Sequence, residues 1–391
     1  MNQFDIAVVG AGPAGLAFAL AAAPLGLRVA LFDQQPEAQL ADPAPDGREI
    51  ALTHASRATL ERLGVWSHIP EAEVSPLKDA QVFDGPSLLA LRFRAADAGT
   101  DAIGLLVPNH WIRRALYETV TERGAATLIT GARVASVVRG DDAVTLTLED
   151  GRTFRAALLV AADTRFSRVR AQVGIGASRL DFQRTMMLVR MTHDAPHGHV
   201  AWEWFGYGGQ TLALLPLNHN VSGIVVTMAH AEIARLMALS DAALAEELTR
   251  RFDGRLGRMT VVSERFAYPL VAVYAHDFVA RRVALIGDAA VGMHPVTAHG
   301  FNFGLASAVR LTEALTSALA AGAPLHAQRH LLTYERTHRR ATWPLYQATN
   351  LVATLYTRDA FPARVARRAA LTAAAWFRPF QQAVLKQVVA Q

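Results

Sequence analysis

The sequence predicts an α/β protein with a parallel sheet, an inserted α+β domain built on an antiparallel sheet, and a helical C-terminal tail. At the start of the chain, residues 5–9 and 29–32 form apolar β-type runs on either side of an alanine-rich helical run at 13–23, which predicts a βαβ unit. In the middle of the chain, short segments rich in branched and aromatic residues are separated by Gly, Asn and Pro, which is typical of antiparallel strands.

Elements of the first type recur on both sides of this middle region. Helices are predicted at 56–63, 112–123 and 303–320, and strands at 145–148, 158–161 and 283–286. The antiparallel strands are predicted at 186–191, 200–205, 211–217 and 224–228, followed by one helix at 241–252. We therefore expect a discontinuous first domain at 1–75, 101–177 and 266–330, an inserted domain at 76–100 and 178–265, and a C-terminal helical region at 331–391.

Composition excludes several classes of protein. The 391 residues include no cysteine, so disulfides, thiolate metal sites and a cysteine nucleophile are excluded. The net charge of +5 comes from arginine, since Lys78 and Lys386 are the only lysines, and no basic run is interleaved with aromatic residues. We expect no nucleic-acid partner, and no histidine–carboxylate spacing predicts a metal site. Residues 6–27 carry no charge, but glycines and prolines divide them into strand, turn and helix, so we expect a cytoplasmic protein without a membrane span.

The first chemical motif is a glycine-rich turn between the first strand and the first helix. It runs from Gly10 through Gly12 to Gly15, and Asp33 follows 18 residues later. In such a Rossmann-type unit the glycines permit a tight turn, approach to a pyrophosphate and close helix packing. The helix start offers amides to phosphate, and the carboxylate accepts hydrogen bonds from ribose hydroxyls. The alternative is a glycine-rich turn without a ligand.

The second motif is an apolar strand that ends in Gly287 and Asp288, followed by a loop with His294 and by a helix that begins near Gly300. At the carboxyl end of a strand, Asp288 can bind a flavin ribityl hydroxyl. The helix directs its positive end toward the same place, where it would stabilise the charge of a reduced flavin. A turn or helix-capping aspartate is the alternative.

The third motif is again a strand that ends in a carboxylate, Asp163, followed by a turn with Ser167 and Arg170. Local reasoning leaves two interpretations open, a cofactor contact and a solvated turn in which Asp163 caps a helix.

Taken in order, these motifs resemble the three fingerprints of the class A flavoprotein monooxygenases, and the resemblance spans essentially the whole chain. Within that group the sequence is similar to the ubiquinone-biosynthesis hydroxylases of the UbiH/UbiF type. Residues 46–54 and 293–302 are most similar to the UbiM subgroup of demethoxyubiquinol hydroxylases. The resemblance implies FAD as cofactor, NAD(P)H as electron donor, and insertion of one oxygen atom from O2 into a prenylated quinol or phenol through a flavin C4a-hydroperoxide.

The resemblance also implies roles for single residues. The cofactor-binding set is Gly10, Gly12, Pro13, Ala14, Gly15, Asp33, Arg48, Arg113, Asp163, Gly287, Asp288, Pro295, Gly300, Phe301 and Asn302. The catalytic candidates at the flavin edge are His294, Pro295 and His299. The alternative for the two histidines is that they only shape their loop by hydrogen bonding.

Three positions depart from the family pattern. Thr164 replaces the glycine of the middle motif, Val291 stands where many relatives have histidine, and Ala298 with His299 replaces Gly-Gln. The first departure bears on recognition of NAD(P)H, and the last bears on the orientation of the substrate over the flavin.

The inserted domain is expected to bind the substrate. Trp202, Trp204 and Leu214 are the candidates for an apolar roof over the flavin. Because side chains alternate along a strand, only one set can face the substrate, and the alternative is that these residues form the core of the sheet.

The C-terminal region is the least expected part of the chain. After Pro379, apolar residues recur at helical spacing near several arginines. Such a helix lies on the inner face of an anionic membrane, binds a partner in a biosynthetic complex, or packs on the flavin domain. Other functions left open are a flavoprotein of the same fold that hydroxylates a small soluble phenol, a flavin-dependent reductase of prenyl chains, and a non-catalytic FAD-binding subunit.

Overall fold

The computed structural model describes residues 2–85, 90–206 and 209–357. Its helices are α1 (Pro13–Ala22), α2 (Glu37–Ala41), α3 (His54–Arg62), α4 (Asn109–Glu122), α5 (Arg168–Gln172), α6 (His230–Met237), α7 (Asp241–Arg251), α8 (Gly300–Ala320) and α9 (Gln328–Thr357). Its strands are β1 (Asn2–Val9), β2 (Val29–Phe32), β3 (Glu49–Leu52), β4 (Ser75–Leu77), β5 (Asp79–Asp84), β6 (Ala90–Arg94), β7 (Gly104–Pro108), β8 (Thr127–Ile129), β9 (Val134–Arg139), β10 (Val144–Leu148), β11 (Thr153–Ala161), β12 (Ala177–His193), β13 (Val200–Phe205), β14 (Thr211–Pro216), β15 (Val221–Met228), β16 (Met259–Val261), β17 (Phe266–Ala275), β18 (Val279–Ala280), β19 (Val283–Leu285) and β20 (Val291–Gly292).

A largely parallel sheet is the framework of the first domain. β1 lies between β2 and β11, β8 continues the sheet beyond β2, and β19 continues it beyond β11, all in the same direction. β10 and β9 extend it from β11 with antiparallel pairing. The predicted βαβ unit of β1, α1 and β2 is confirmed, and every residue of β2 is buried, as expected for a parallel strand covered on both faces.

The uncharged N-terminal stretch forms this buried unit. α1 packs against α8 and α4, and its residues Ala17, Phe18 and Ala19 are fully buried. α1 is apolar on all sides because it is buried between other elements. Its small alanine side chains let the neighbouring helices approach closely.

A second, nine-stranded sheet forms most of the inserted domain. Its order is β20-β17-β12-β15-β14-β13-β5-β6, with β16 beside β12. The neighbours are antiparallel except β5 and β13, which are parallel. β5 and β6 come from the predicted 76–100 segment, and they join strands from the predicted 178–265 segment.

Two helices, α6 and α7, cover one face of this sheet. Their apolar residues Ile233, Leu244 and Leu248 pack with Met187 and Val226 of the sheet. The sequence predicted only α7, so the expectation of a single helix was wrong. α6 has eight residues and no side-chain cap at its start, so it lacks the usual sequence signal of a helix N-terminus.

A small sheet, β3-β7-β4, packs on the opposite face of the nine-stranded sheet. Its residues Leu77 and Leu106 share a core with Leu215 and Ala201 of the larger sheet. β3 therefore brings the loop that precedes it, residues 46–48, against the inserted domain.

The chain continues through α8 into α9, which packs on α8. Within the described ranges, no helix has both the length and the apolar character needed to cross a membrane. The amphipathic helix predicted after Pro379 lies outside the described residues.

Candidate dinucleotide and substrate site

The glycine-rich turn joins β1 to α1, and its glycines have different surroundings. Gly10 has a φ of +110°, and a Cβ there would lie 2.4 Å from the carbonyl oxygen of Ala162, so any other residue would be strained and would clash. A Cβ at Gly15 would lie 2.0 Å from the carbonyl oxygen of Gly10. Gly12 instead faces open space, with nothing within 4 Å of a Cβ, and α1 begins after it without a side-chain cap. The amides of Gly10 and Ala11 already donate to Phe32 and Asp33, so the amides available to an anion are those at the start of α1.

Asp33 follows β2 at the same edge of the sheet. Its Oδ2 accepts a hydrogen bond from the amide of Ala11, and its Oδ1 accepts one from the amide of Gln35, both at 2.8 Å. The first bond ties the carboxylate to the glycine-rich turn, and each oxygen can accept a further bond from a ribose hydroxyl. The Oε1 of Gln35 accepts a hydrogen bond from Nη2 of Arg113 at 3.3 Å, so the guanidinium of Arg113 lies at this end of the site.

The 46–48 loop connects this end to the inserted domain. Nη2 of Arg48 lies 2.5 Å from Oδ2 of Asp46, and the hydroxyl of Tyr268 donates to the carbonyl oxygen of Asp46 at 2.9 Å. Burial alone would lower the pKa of Arg48, but the carboxylate of Asp46 outweighs it and holds this pKa above its usual value, with a contribution from Asp288. The side chain of Arg48 is nevertheless 47% exposed, so its charge lines an open cleft near Asp288.

The second motif contacts both other motifs. A Cβ at Gly287 would lie 2.8 Å from the Cβ of Ala14 in the first turn of α1. Asp288 binds Arg165 of the middle motif, with Nη2 at 2.8 Å and Nε at 3.1 Å from its Oδ2. Three segments that are distant in sequence therefore meet at one cleft.

The middle motif also contacts the turn of the second motif, through Arg170. Arg170 is 2% exposed and donates from Nη1 to the carbonyl oxygen of Ala289 at 2.7 Å, which fixes the turn after Asp288. Burial raises the pKa of Asp163, and its buried Oδ1 has no hydrogen-bond partner among the described residues. A buried polar atom of this kind is expected where a polar ligand binds.

α8 begins at the far end of the cleft. It starts at Gly300 without a side-chain cap, and a Cβ at Gly300 would meet nothing within 4 Å. Nδ2 of Asn302 donates to the carbonyl oxygens of Ala51 at 2.9 Å and Ala298 at 3.0 Å, while its Oδ1 accepts from the amide of Thr53 at 3.2 Å. The side chain of Asn302 thus fastens the helix start to β3, and the first amides of α8 have no intrahelical partner.

Ala298 precedes this helix in a left-handed conformation, with a φ of +53°. Glycine adopts this conformation at lower cost. The substitution of alanine for the glycine that is common in the resembled family therefore leaves the loop geometry in place with some backbone strain.

The two predicted catalytic histidines lie in the loop before α8. Nδ1 of His294 accepts from the amide of Val296 at 3.2 Å. Burial, assisted by the charge of Arg165, lowers the pKa of His294 to about 4, so the ring is neutral at physiological pH. Nδ1 of His299 is hydrogen-bonded to the carbonyl oxygen of Thr297, and burial lowers the pKa of His299. Its Nε2 is buried without a partner among the described residues.

One face of the nine-stranded sheet is directed toward the 46–48 loop. A Cβ at Gly47 would lie 3.1 Å from the Cβ of Leu188. Leu188 pairs with Val225, Val225 with Ala213, and Ala213 with Glu203. Because directly paired side chains share a face, this row of four residues faces the cleft.

Trp202, Trp204 and Leu214 lie on the opposite face of the sheet. Trp204 is 6% exposed and Leu214 is fully buried, and all three belong to the core beneath α6 and α7. This corrects the expectation that they line the substrate pocket, since alternation along β13 turns Glu203 toward the cleft when its tryptophan neighbours face the core. Glu203, a lone carboxylate between two tryptophans in the sequence, was not among the predicted site residues.

The residues around the cleft fit a flavin dinucleotide. Two helix starts without side-chain caps offer amides, and glycines leave open space beside each of them. Asp33 and Asp288 lie at the two ends, where carboxylates can bind the ribose and ribityl hydroxyls. The guanidinium of Arg48 lies near both the cleft and Asp288, as binding of a negatively charged pyrophosphate requires.

Comparisons with known proteins agree with this arrangement. The sequence pattern of the FAD binding domain matches residues 3–349. The chain is 43% identical over 388 residues to the ubiquinone hydroxylase UbiM of Neisseria meningitidis, covering 98% of this chain and 84% of that protein. It is 35% identical over 386 residues to the ubiquinone hydroxylase UbiL of Rhodospirillum rubrum, covering 98% of this chain and 89% of that protein.

Among solved structures, the chain is similar to the p-nitrophenol 4-monooxygenase PnpA of Pseudomonas putida. The TM-score is 0.80 with 20% sequence identity, and the alignment covers 100% of this chain and 99% of that one. At this identity the likeness establishes the fold, and it agrees with the predicted combination of a parallel and an antiparallel sheet.

Proposed function

Because this chain belongs to the family of flavoprotein monooxygenases built on the FAD binding domain, we propose that it hydroxylates the aromatic ring of a prenylated quinol or phenol in ubiquinone biosynthesis. The relatives that it matches over almost its full length are ubiquinone hydroxylases. The observation that carries the proposal is that the 46–48 loop, whose Arg48 lies near Asp288, packs against Leu188 of the row that continues through Val225 and Ala213.

The protein binds FAD, and we propose that the glycine-rich turn from Gly10 to Gly15 and Asp33 hold its ADP half. Arg48 and Arg113 then neutralise the pyrophosphate, and Asp288 holds the ribityl chain. When bound, FAD supplies the activation of O2 and the transfer of one oxygen atom. NAD(P)H is the proposed electron donor.

We propose that Pro295, Gly300, Phe301 and Asn302 border the flavin ring through the loop and the first turn of α8. The positive end of that helix favours negative charge on the adjacent ring. His294 is neutral at physiological pH, so its proposed part is hydrogen bonding at the flavin edge. The buried acceptor Nε2 of His299 is proposed to receive a hydrogen bond from cofactor or substrate.

The substrate side of the cleft is suited to an apolar ring. Leu188, Val225 and Ala213 offer aliphatic side chains, and the last two keep accessible surface. Exclusion of water by such a surface protects reactive oxygen chemistry from hydrolysis. A cytoplasmic location, with peripheral association at the membrane that holds a prenylated substrate, is part of this proposal.

A complementation experiment tests the proposed function. The gene is expressed in a bacterium that lacks its own demethoxyubiquinol hydroxylase, and ubiquinone is quantified by mass spectrometry. We expect ubiquinone to be restored, and the Asp288→Ala variant to restore much less because it loses FAD. Purified protein that hydroxylates soluble phenols but restores no ubiquinone would instead support the small-phenol alternative. Absence of any hydroxylated product with reduced nicotinamide and O2 would support a non-catalytic subunit.

A further inference from the structure

Glu203 is an ionisable residue in the middle of the sheet face that lines the cleft. It lies in β13 and pairs with Ala213 on one side and Val82 on the other. Protein surrounds its carboxyl group, yet the side chain keeps accessible surface. Glu203 therefore lies on this face with part of its side chain accessible, and is not enclosed in a packed core.

Several small residues lie near Glu203 on this face, beside its larger partner Val82. Ala213 is its direct partner, and Ala201 precedes it by two residues on the same strand. Gly223 lies on β15 and pairs with Leu215, two residues after Ala213. A Cβ at Gly223 would lie 3.0 Å from Cγ of Glu49, so β15 touches the first domain there. β13 is two strands from β15, which is about 9.5 Å. A flat ring held between the two domains is therefore within reach of the carboxyl group of Glu203.

The charges near Glu203 are paired with other groups. The ionisable side chains that face the same cleft are Arg190, Asp84 and Tyr268 from the sheet, and Glu49, Arg48 and His110 from the first domain. Nε of Arg190 lies 2.7 Å from Oε1 of Glu49, and Arg48 is paired with Asp46. None of these charges acts on Glu203, and burial alone raises its pKa to about 8.

A carboxyl group without a partner among the described residues can share a hydrogen with a bound ligand. Among the described residues no group forms a hydrogen bond or ion pair with Glu203, which leaves its carboxyl group available to a bound substrate. The substrate class proposed above carries one hydroxyl or more on its ring. A general base is most effective when its pKa lies near the working pH.

We propose that Glu203 contacts the ring hydroxyl of the substrate and accepts its proton, an inference that rests on the proposed function. The O–H bond of the ring hydroxyl breaks, its electron pair stays on the oxygen, and a new O–H bond forms on the ionised carboxylate of Glu203. The resulting phenolate is a more electron-rich ring and a better acceptor of the transferred oxygen. The partly exposed side chain then releases the proton to solvent before the next turnover.

The test uses FAD-loaded wild type, Glu203→Gln and Glu203→Asp with a geranylated methoxyphenol as substrate. Glu246→Gln is the matched control, because Glu246 is an exposed glutamate of the same domain. Product formation is measured from pH 6 to 9, and substrate binding is measured separately from the change in flavin absorbance. FAD content and melting temperature confirm that each variant is folded.

We expect Glu203→Gln to lower kcat by about 100-fold or more, the usual contribution of a general base, while the Kd for the substrate changes by less than about threefold. Wild-type kcat should rise with pH up to about 8, and this rise should be absent in Glu203→Gln. Glu203→Asp keeps a carboxyl group on a side chain that is one methylene shorter. We expect it to retain the rise of kcat with pH and to have an intermediate kcat.

Two results separate this inference from the proposed function. If wild type forms product and Glu203→Gln keeps more than half of the wild-type kcat, or changes only KM, the role of Glu203 is rejected and the proposed function stands. If wild type forms no hydroxylated product at any pH, the proposed function is rejected and the inference falls with it.

Discussion

Arg165 and Asp288 lie 123 residues apart in the chain and meet through two hydrogen bonds to a single carboxylate oxygen, at 2.8 Å from Nη2 and 3.1 Å from Nε. Their side chains are 29% and 37% exposed, so this ion pair lines the cleft. Within the described part of the chain, the other carboxylate oxygen of Asp288, Oδ1, forms no hydrogen bond, which leaves it for the proposed ribityl contact. We therefore propose that Arg165 holds Asp288, a proposed flavin ligand, in position.

Replacement of Arg165 tests this positioning role. In Arg165→Gln the carboxylate of Asp288 loses its restraint, and we expect the Kd for FAD to rise about tenfold, which corresponds to about 1.4 kcal/mol. FAD binding to apoprotein is measured by quenching of flavin fluorescence. Arg168→Gln, an exposed arginine three residues further, should bind FAD like wild type. Equal affinities for wild type and Arg165→Gln would contradict the role.

Two glycines of the same turn should respond differently to alanine. At Gly12 a Cβ meets nothing within 4 Å, and the φ of −75° suits any residue. We expect the apoprotein of Gly12→Ala to be as stable as wild type to within about 0.5 kcal/mol, because no neighbour is displaced. Its FAD affinity should fall at least tenfold, since the added methyl group occupies the space that a pyrophosphate approaches.

At Gly10 the added Cβ would lie 2.4 Å from the carbonyl oxygen of Ala162, at a φ of +110°. We expect Gly10→Ala to reduce the free energy of unfolding of the apoprotein by about 2 kcal/mol or more, through backbone strain and the clash. Urea denaturation of both apoproteins and FAD titration check the pair. A Gly12→Ala variant that binds FAD normally would show that the pyrophosphate lies elsewhere.

Glu203 should also affect stability in a pH-dependent way. Its pKa rises from 4.5 to about 8 on folding, so between these values the folded state keeps a proton that the unfolded state has lost. The contribution of Glu203 to the free energy of unfolding is therefore highest below about pH 4.5. It falls as the pH rises and stays low above about pH 8. Glu203→Gln is neutral throughout, and we expect it to exceed wild type by roughly 2 kcal/mol at pH 8.5, less than the full shift implies because the side chain is partly solvated.

Urea denaturation at pH 5 and pH 8.5 checks this expectation. The difference between Glu203→Gln and wild type should grow between the two pH values, while Glu246→Gln should show no such change. A difference that is the same at both values would mean that Glu203 titrates as an ordinary exposed carboxylate.

The features that the sequence predicts well are local ones. The spacing of apolar residues located β2 and β13 with their observed bounds, and the glycines identified the turn at Gly10 because its φ of +110° leaves few other residues. These signals need only a few neighbouring positions, since strand periodicity and left-handed backbone are properties of short segments.

Features that depend on tertiary register were harder to predict. The ion pair of Arg165 with Asp288 joins two loops whose relative position is set by the pairing of β11 with β19. The side of the sheet on which Glu203 lies depends on which face of β13 packs against α6 and α7. The sequence did not predict α6. Strand alternation indicated that Trp202 and Glu203 face opposite sides, but only packing decides which side is the core.

His294 provides a final prediction about the chemistry of the flavin edge. Its ring packs edge-on against Phe182 at a centroid distance of 4.6 Å, and burial next to Arg165 lowers its pKa to about 4. The ring is therefore neutral above about pH 5.5, and its Nδ1 serves as the acceptor for the amide of Val296. Asparagine carries an acceptor at a similar position, so we expect His294→Asn to keep the wild-type shape of the kcat/KM profile between pH 5.5 and 7.5.

His294→Leu is the matched comparison, because it removes the acceptor and leaves the partly buried amide of Val296 without this partner. Such a loss costs about 1 to 3 kcal/mol, and we expect a lower melting temperature and weaker FAD binding in this variant. A wild-type profile with an inflection near pH 6.5 that disappears in His294→Asn would show that the imidazole exchanges protons during turnover. In that case the ring would have to be more solvated in the FAD-bound enzyme than its contacts with Phe182 and Val296 indicate.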